Sequence, residues 1–392
     1  MSQSPIVIAA ARRTPIGSFQ GTLSAVPAPE LAAAAMQAAL GDAGVEPDDV
    51  SEVIFGCVLP AGLGQAPARQ AALAAGLPQA VGCTTLNKVC GSGMKAAMFG
   101  HDLLRAGSAS IVLAGGMESM SNAPYLLPKA RAGYRMGHQQ VLDHMFYDGL
   151  QNPYDGHMMG HFAEATAREY GFSREAQDAF AIESVQRALA AADDAFAAEL
   201  VPVTVKTRRG ETVVGGDEEP GRCDLDKIPS MRPAFAKDGT VTAASSSSIS
   251  DGAAALVLTT AAEAERRGLA PLARIVGHGG FAQAPERFTT APVAAMRHLM
   301  ARLGWGADDV DLYEINEAFA VVTMAAIHDL GLDPAKVNVN GGACALGHPI
   351  GATGARILVT LVHALRQRGL SRGVASLCIG GGEATAVAVE TL

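Results

Sequence analysis

Apolar strands alternate with alanine-rich helices over the first third of the chain. The run at 110–116 is apolar and ends in two glycines, a pattern typical of a strand buried on both faces. The run at 29–40 has proline in its first turn and is followed by Gly41, as expected of a helix. In chain order, strands are predicted at 5–11, within 48–55, and at 83–89 and 110–116, and helices at 29–40, 68–75 and 93–106. Such alternation predicts a mostly parallel sheet.

The middle of the chain has a different character. Residues 117–155 are rich in Met, His, Tyr, Gly and Pro and show little periodicity, which indicates an irregular excursion. Residues 162–198 are helical in pattern, and 201–206 with 211–214 predict a small hairpin. The serine run at 244–248 has the composition of a flexible linker, but a tight loop facing a ligand fits its flanks equally well.

Beyond residue 270 the first pattern returns in register. The matched segments are 44–56 with 304–316 and Gly91 with Gly351, at an offset of 260 residues, and 113–118 with 378–383, at an offset of 265. Three matches in the same order indicate two similar α/β halves. Two like halves related by a pseudo-dyad would bring equivalent loops together, so the turn at Cys90 should face its counterpart around His348.

Length and composition narrow the class of protein. A chain of 392 residues predicts about two to three domain-sized units. With 49% hydrophobic and 18% charged residues the chain is expected to fold into a globular protein, and its net charge of -9 argues against a general nucleic-acid surface.

The chain is expected to be cytoplasmic and not membrane-bound. Its first residues lack the basic and apolar regions of a secretory signal, and no apolar run reaches the roughly 18 residues that span a bilayer. The six cysteines lie far apart without a C-x-x-C pair, which predicts reduced thiols and neither a zinc site nor a disulfide framework.

Cys90 is the first candidate for chemistry. It lies at or just before the start of a predicted helix, where free backbone N–H groups and the helix dipole favour a thiolate. Gly91 and Gly93 would let a substrate carbonyl approach the backbone, and Ser92 is compatible with capping the helix. The alternative is a buried structural cysteine.

Three further residues complete a possible reaction site. His348 occupies the turn equivalent to that of Cys90 and would act as its base, although a lone histidine is more often structural. Cys378 ends a buried strand before three glycines and would be a second acid/base or simply a small apolar residue. Asn316 would hold a water or cap a helix. A Claisen condensation needs this inventory, because it requires a nucleophile, a base and donors for two oxyanions.

Four motifs in this order resemble those of the thiolases, over essentially the whole chain. They are N-x-x-C-G-S-G at 87–93, N-E-A-F at 316–319, N-G-G at 340–342 with G-H-P-x-G-x-[ST]-G at 347–354, and C-x-G-G-G at 378–382. The resemblance is closest to the acetyl-CoA acetyltransferase branch of the family.

The resemblance implies a fold and an assembly. The fold is an α/β, five-layered αβαβα core of two similar halves with an inserted loop domain covering coenzyme A. The N-terminal half would comprise 1–120 and 250–269, the loop domain 121–249, and the C-terminal half 270–392. Thiolases are usually homotetramers, dimers of dimers that assemble through part of the loop domain. The substrates would be acyl-CoA and CoA, with no cofactor, metal, nucleic-acid or membrane partner.

The resemblance also implies the catalytic roles. Cys90 would carry the acyl group, and His348 would activate it and serve in a first oxyanion hole with a water held by Asn316. Cys378 would be the acid/base, and the N–H groups of Cys90 and Gly380 would form the second oxyanion hole.

The implied substrate contacts lie on the same motifs and on the loop domain. Ser247 would contact pantetheine and Phe235 would lie near the adenine. Met159, Ala318 and Phe319 would line the acyl and pantetheine channel.

The chain departs from the family pattern at a few positions. Met158 stands where a pocket histidine is usual, 244–248 replaces a G-N-A-S-G segment, and Phe288 places a bulky ring near the acyl site. The last change favours short acyl chains. His157 and His161 have the i, i+4 spacing of a metal pair, but without a third ligand they predict none.

The leading hypothesis is an acetyl-CoA C-acetyltransferase that condenses two acetyl-CoA to acetoacetyl-CoA and CoA through an acyl-cysteine. The alternative is a 3-ketoacyl-CoA thiolase of broader or longer chain-length range. A decarboxylating ketoacyl synthase would have His or Asn in place of Cys378. A non-catalytic CoA-binding protein would have no reason to keep Cys90, His348, Asn316 and Cys378.

Overall fold

The computed structural model describes residues 4–208 and 210–392. The strands are β1 (Ile6–Arg13), β2 (Gly17–Ser18), β3 (Glu52–Gly56), β4 (Gly82–Leu86), β5 (Ile111–Ser119), β6 (Tyr125–Leu126), β7 (Leu142–Asp143), β8 (Val203–Thr207), β9 (Gly210–Val214), β10 (Ser250–Thr260), β11 (Ala273–Ala282), β12 (Leu312–Ile315), β13 (Arg372–Ile379) and β14 (Glu383–Thr391). The helices are α1 (Ala28–Ala43), α2 (Pro67–Ala74), α3 (Ser92–Ala106), α4 (Met159–Tyr170), α5 (Arg174–Ala192), α6 (Ala261–Arg267), α7 (Ala291–Leu303), α8 (Ala320–Leu330), α9 (Ala343–Leu346) and α10 (Thr353–Gln367).

The main sheet is mixed, so the prediction of a mostly parallel sheet was wrong. Its strand order is β12-β13-β14-β11-β1-β10-β5-β3-β4, with β2 paired to β10. Within it the described parallel pairs are β12 with β13, β3 with β4 and β3 with β5. The turn between β13 and β14 shows why: only residues 380–382 join these strands, and so short a connection can only return antiparallel. Gly381 and Gly382 make the turn with φ of 93° and 88°.

The predicted repeat is present in the sheet. In the first half β3 lies parallel to β5, which pairs antiparallel with β10, and β10 pairs antiparallel with β1. In the second half β12, β13, β14 and β11 follow the same order and directions. The place of β4 is taken there by a single parallel bridge between Tyr313 and Val337. The halves meet where β1 pairs with β11.

Helices and sheet form five layers, as the resemblance to the thiolases implies. Helices α1 and α2 pack on the outer face of the first half, and α7 and α8 on the outer face of the second. Helices α3 and α10 fill the space between the halves. They approach closely because both begin with small residues: a Cβ at Gly354 would lie 2.4 Å from the Met94 backbone nitrogen, and one at Gly93 would lie 2.8 Å from that of Ala355.

Two predicted helix boundaries were wrong because the glycine that ends the helix was not identified. Helix α1 runs through Gly41 and ends at Gly44, whose φ of 63° provides the left-handed cap. The single predicted helix at 162–198 is two helices, α4 and α5, because Gly171 with a φ of 67° ends the first. The predicted hairpin is confirmed as β8 and β9.

The segment between β5 and β10 carries the small strands β6 to β9 and the helices α4 and α5. The predicted limits of the loop domain, 121–249, stay a prediction. Across the described residues, no helix is both long enough and apolar enough to cross a membrane.

A buried ion network ties the three parts of the chain together. Arg13 of β1 donates from Nε to Glu199 at 2.5 Å and from Nη1 and Nη2 to Asp217 at 2.7 and 2.8 Å. Thr360 of α10 donates to the same Glu199 oxygen at 3.2 Å. These side chains join β1, the inserted segment and α10 at one point.

Replacing Arg13 should therefore destabilise the whole molecule. An Arg13→Met variant leaves two carboxylates without their cation in a buried place, a change that typically lowers the free energy of unfolding by about 3–5 kcal/mol. Urea denaturation followed by circular dichroism measures the loss. Lys206→Met, which breaks the exposed ion pair with Glu211, is the control and should leave the midpoint nearly unchanged. Equal midpoints for both variants would contradict the role given to Arg13.

Candidate active site

Cys90 lies on a strained turn between β4 and α3. The preceding residue, Val89, has a φ of 47°, which is costly for a β-branched residue and therefore needs support from its surroundings. Asn87 Oδ1 accepts the Val89 N–H at 2.8 Å. Ser92 Oγ accepts from the Lys88 N–H at 2.8 Å and donates to the Val89 carbonyl at 2.7 Å. Ser92 thus holds the turn and does not cap α3, which corrects the predicted role.

The Cys90 thiol is neutral in the resting site. Burial raises its pKa to about 11, although the backbone N–H groups of Gly380 and of Cys90 itself point at the sulfur and favour the thiolate. The backbone N–H groups favour the thiolate, as expected at this turn, but loss of solvation outweighs them in the resting protein. A base must take the proton when the thiol reacts.

His348 has the protonation state that a base needs. Burial lowers its pKa to about 3, with a smaller contribution from the charge of Arg356, so the ring is neutral near pH 7. Its Nδ1 lies 2.6 Å from Thr353 Oγ1, which donates its own hydrogen to the Pro349 carbonyl at 3.0 Å. Thr353 must then accept from Nδ1–H, which leaves the lone pair on Nε2. Nε2 is buried and has no protein partner among the described residues.

Asn316 directly follows β12, and Cys378 is the second-last residue of the neighbouring parallel strand β13. Ile315 of β12 pairs with Ser376 of β13, so both residues lie at the carboxyl ends of these strands. Burial raises the pKa of Cys378 well above its usual value, and the nearby Cys90 adds to this effect. The amide oxygen and nitrogen of Asn316 are both buried and have no protein partner in the described part of the chain. Such a group can orient a water.

Eight of the ten predicted site residues line one cleft that opens to solvent. They are Cys90, Met159, Phe235, Ser247, Ala318, Phe319, His348 and Gly380. Cys378 and Asn316 are fully buried outside this lining. The structure therefore brings the predicted nucleophile, its base and one oxyanion donor to the same surface.

The serine run forms a tight loop and not a linker. Ser247 donates both its N–H and its hydroxyl to the Ala318 carbonyl, each at 3.0 Å. Ser246 Oγ donates to the Thr242 carbonyl at 2.7 Å, and the Ser245 side chain is buried against the same residue. The loop presents Ser247 to the cleft with its oxygen lone pairs free to accept.

Aromatic rings form an apolar wall. Phe319 makes edge-to-face contacts with Phe235 at a centroid distance of 5.8 Å and with Phe288 at 6.5 Å. Phe235 packs directly over Gly160, where a Cβ would lie 2.3 Å from the ring, so this glycine makes room for it. Met158 also faces the cleft.

Glu118 was missed by sequence reasoning. This buried carboxylate accepts the N–H groups of Val58 at 3.0 Å, Leu59 at 3.1 Å and Gly351 at 2.9 Å. Burial raises its pKa to about 7 against the effect of these donors. It therefore binds the loop that carries His348 to the first half. The repeat includes Glu118, but no local pattern signals that a carboxylate ending a strand turns inward.

His157 and His161 stack face to face with ring centroids 4.1 Å apart. His157 Nδ1 lies 3.4 Å from an oxygen of Asp155. In the part of the chain that the structure describes, this pair belongs to no cluster of three metal-ligand side chains.

Comparison with known proteins places both halves in one family. Residues 6–262 match the family model for the thiolase N-terminal domain, and residues 269–391 match that for the thiolase C-terminal domain. An acetyl-CoA acetyltransferase of Schizosaccharomyces pombe is 49% identical, with both chains fully covered. One from Cupriavidus necator is 50% identical over 98% of this chain and 99% of its own. The crystal structure of the Bacillus anthracis acetyl-CoA acetyltransferase superposes with a TM-score of 0.97 at 43% identity, covering 100% of this chain and 99% of that one.

Alkylation of Cys90 should follow its raised pKa. Because only the thiolate reacts, its rate of modification by iodoacetamide should rise about tenfold per pH unit from pH 7 and level off only near pH 11. Mass spectrometry of the peptide containing Cys90 measures the rate, and the Cys90→Ser variant identifies signal from other thiols. A plateau already reached at pH 7 would show that the site stabilises the thiolate at rest.

Proposed function

The chain belongs to the thiolase family, and from the geometry of its site we propose that it is an acetyl-CoA C-acetyltransferase. It would interconvert two acetyl-CoA with acetoacetyl-CoA and CoA. The observation that carries the proposal is the convergence at one apolar cleft of a neutral thiol, a neutral imidazole with a free Nε2 and the Gly380 N–H, with a second thiol buried nearby.

Acylation comes first. Nε2 of His348 takes the Cys90 proton as the sulfur attacks the thioester carbonyl of acetyl-CoA. The N–H groups of Cys90 and Gly380, which already point at the sulfur, receive the oxyanion that forms beside it. The C–S bond to CoA breaks, and the departing sulfur takes the proton of Cys378. The products are acetyl-Cys90, free CoA, an imidazolium and the Cys378 thiolate.

Condensation follows. The Cys378 thiolate removes a proton from the methyl group of a second acetyl-CoA. The enolate oxygen is stabilised by the imidazolium N–H of His348 and by a water held on the Asn316 amide. The enolate carbon attacks acetyl-Cys90, its oxyanion again meets the two backbone N–H groups, and Cys90 leaves and recovers its proton from His348. Both cysteines and the histidine return to their starting states.

The cleft favours a short acyl group. Phe288 and Phe319 narrow it with edge-to-face rings, and Met158 adds an apolar side chain where the family usually has histidine. Ser247 would contact the pantetheine arm through its hydroxyl oxygen, and Phe235 would form part of the apolar wall along the CoA. The alternative, a 3-ketoacyl-CoA thiolase of longer range, requires these rings to move aside.

Assembly and location are part of the same proposal. Tyr125, Met136 and Tyr154, in the inserted segment, expose 67%, 92% and 75% of their surface, and such apolar exposure suits a homotetramer built as a dimer of dimers. All six cysteines are free, as suits a reducing cytoplasm. The CoA thioesters would be substrates, and the reaction would need no cofactor.

Cleavage of acetoacetyl-CoA in the presence of CoA tests the function. The wild type should cleave it, and Cys90→Ser should lose at least 10³-fold in kcat, because the hydroxyl is a far weaker nucleophile. The decrease in absorbance of the enolate form of acetoacetyl-CoA follows the reaction. Cys223→Ser, a half-buried cysteine away from the cleft, is the matched control and should keep wild-type activity.

The same assay with 3-ketohexanoyl-CoA separates the two chain-length classes. Turnover confined to acetoacetyl-CoA supports the proposal. Comparable turnover of the longer substrate would move the protein to the broader class, and cleavage of neither would refute a thiolase activity.

Phe288 should set the acyl length. Phe288→Ala opens space for about two extra carbons and should raise kcat/KM for 3-ketohexanoyl-CoA relative to acetoacetyl-CoA by about 10- to 200-fold. Phe281→Ala, which loses a ring that packs on His298 outside the cleft, is the control and should leave the ratio unchanged. Thermal melting of both variants checks folding. If a folded Phe288→Ala protein keeps the wild-type kcat/KM ratio, another part of the cleft limits the length of the acyl chain.

A further inference from the structure

A cluster of three metal-ligand side chains joins α3 to β11. His278 Nε2 lies 3.1 Å from His101 Nδ1 and 2.9 Å from Asp102 Oδ1, and the third side, from His101 Nδ1 to Asp102 Oδ1, is 3.0 Å. The two histidines are partly buried, and Asp102 is exposed. Three possible metal-ligand atoms, one from each side chain, thus form a nearly equilateral triangle.

Hydrogen bonds alone do not satisfy this triangle. Asp102 Oδ1 accepts only, so each neutral imidazole would have to carry its proton on the nitrogen that faces it. Those two N–H groups would then oppose each other across the 3.1 Å contact between His101 and His278. If one imidazole instead carries its proton on the far nitrogen, it gives up its bond to the carboxylate. Every arrangement of protons leaves one side of the triangle unpaired or repulsive.

A small divalent ion satisfies all three atoms at once. Zinc binds imidazole nitrogen and carboxylate oxygen at about 2.0–2.1 Å, and tetrahedral geometry then separates its ligands by about 3.3 Å. An ion that distance from three atoms spaced as these are would lie about 1 Å above their plane. Side-chain shifts of a few tenths of an ångström open the triangle to the ideal spacing, and a tetrahedral ion would keep a fourth position for a water.

We propose that His101, Asp102 and His278 form a binding site for Zn²⁺ that fastens α3 of the first half to β11 of the second. Two imidazoles select a transition ion over Mg²⁺ or Ca²⁺, which prefer oxygen ligands. The site is structural, because His101 lies nine residues beyond the start of α3 and therefore about 14 Å along the helix from the Cys90 turn.

Two positively charged side chains lie near the proposed site. Lys95, one to two turns earlier on α3, acts electrostatically on His278, but its ammonium group lies 4.4 Å from the centroid of the Phe99 ring. Arg302 donates to the His278 backbone carbonyl. Neither occupies a ligand atom of the triangle. Their charge weakens cation binding, so zinc should bind more tightly to a Lys95→Met variant.

Calorimetric titration with ZnCl₂ of the full-length protein, freed of metal by chelation, tests the site. The wild type should bind one equivalent that is lost or weakened at least tenfold in His278→Ala and in Asp102→Asn, the second being an exposed change that preserves shape. His328→Ala is the matched control, because His328 and Asp329 form the same adjacent pair at 2.8 Å on α8 without a third ligand. This control should bind zinc as the wild type does.

Cobalt substitution distinguishes the site from the thiols. Co²⁺ bound by two imidazoles and a carboxylate shows visible d–d bands without the near-ultraviolet absorption that thiolate ligands produce, and these bands should disappear in His278→Ala. The His278→Ala variant should cleave acetoacetyl-CoA as the wild type does. The test of the zinc site therefore does not depend on the proposed activity. Equal zinc binding by wild type, His278→Ala and Asp102→Asn, or no binding by the wild type, would overturn the proposal.

Discussion

The reacting groups of this protein are largely shielded from water, and loss of solvation sets the charge of each of them. Burial keeps Cys90 protonated, keeps His348 unprotonated and keeps Cys378 in its neutral form. A resting site without net charge on these groups suits an apolar cleft that must admit a thioester. Charge then arises only during reaction, where the backbone N–H groups of Cys90 and Gly380 are already in position to receive it.

That arrangement exists only where the two halves meet. Cys90 comes from the first half, and His348, Asn316, Cys378 and Gly380 from the second. The contact between α3 and α10 is close because glycine faces backbone on both sides, and it brings the two equivalent turns together. A fold with one half could position the nucleophile or the base, but not both.

Buried polar ties keep the halves in register. The carboxylate of Glu118 binds backbone N–H groups from both halves, and Arg13 joins the first half to the inserted segment through Glu199 and Asp217. Breaking such a buried hydrogen bond or ion pair costs more free energy than breaking an apolar contact, because each polar group would be left buried without a partner. Glu118 therefore holds the two halves together, and the Arg13 network holds the inserted segment against the first half.

The sequence by itself determined the local chemistry and the symmetry of this protein. Short segments of sequence are enough to predict the strand and helix pattern, the duplication and the glycine-flanked residues Cys90, His348 and Cys378. Turns and strand ends have strong local signatures. Tertiary structure decided the rest. It made the sheet mixed, turned the serine run into a loop bonded to Ala318, directed Glu118 inward and assembled the His101, Asp102 and His278 triangle from residues 177 positions apart. It also set the pKa of Cys90, because the burial that distant segments impose outweighs the local backbone N–H groups that favour the thiolate.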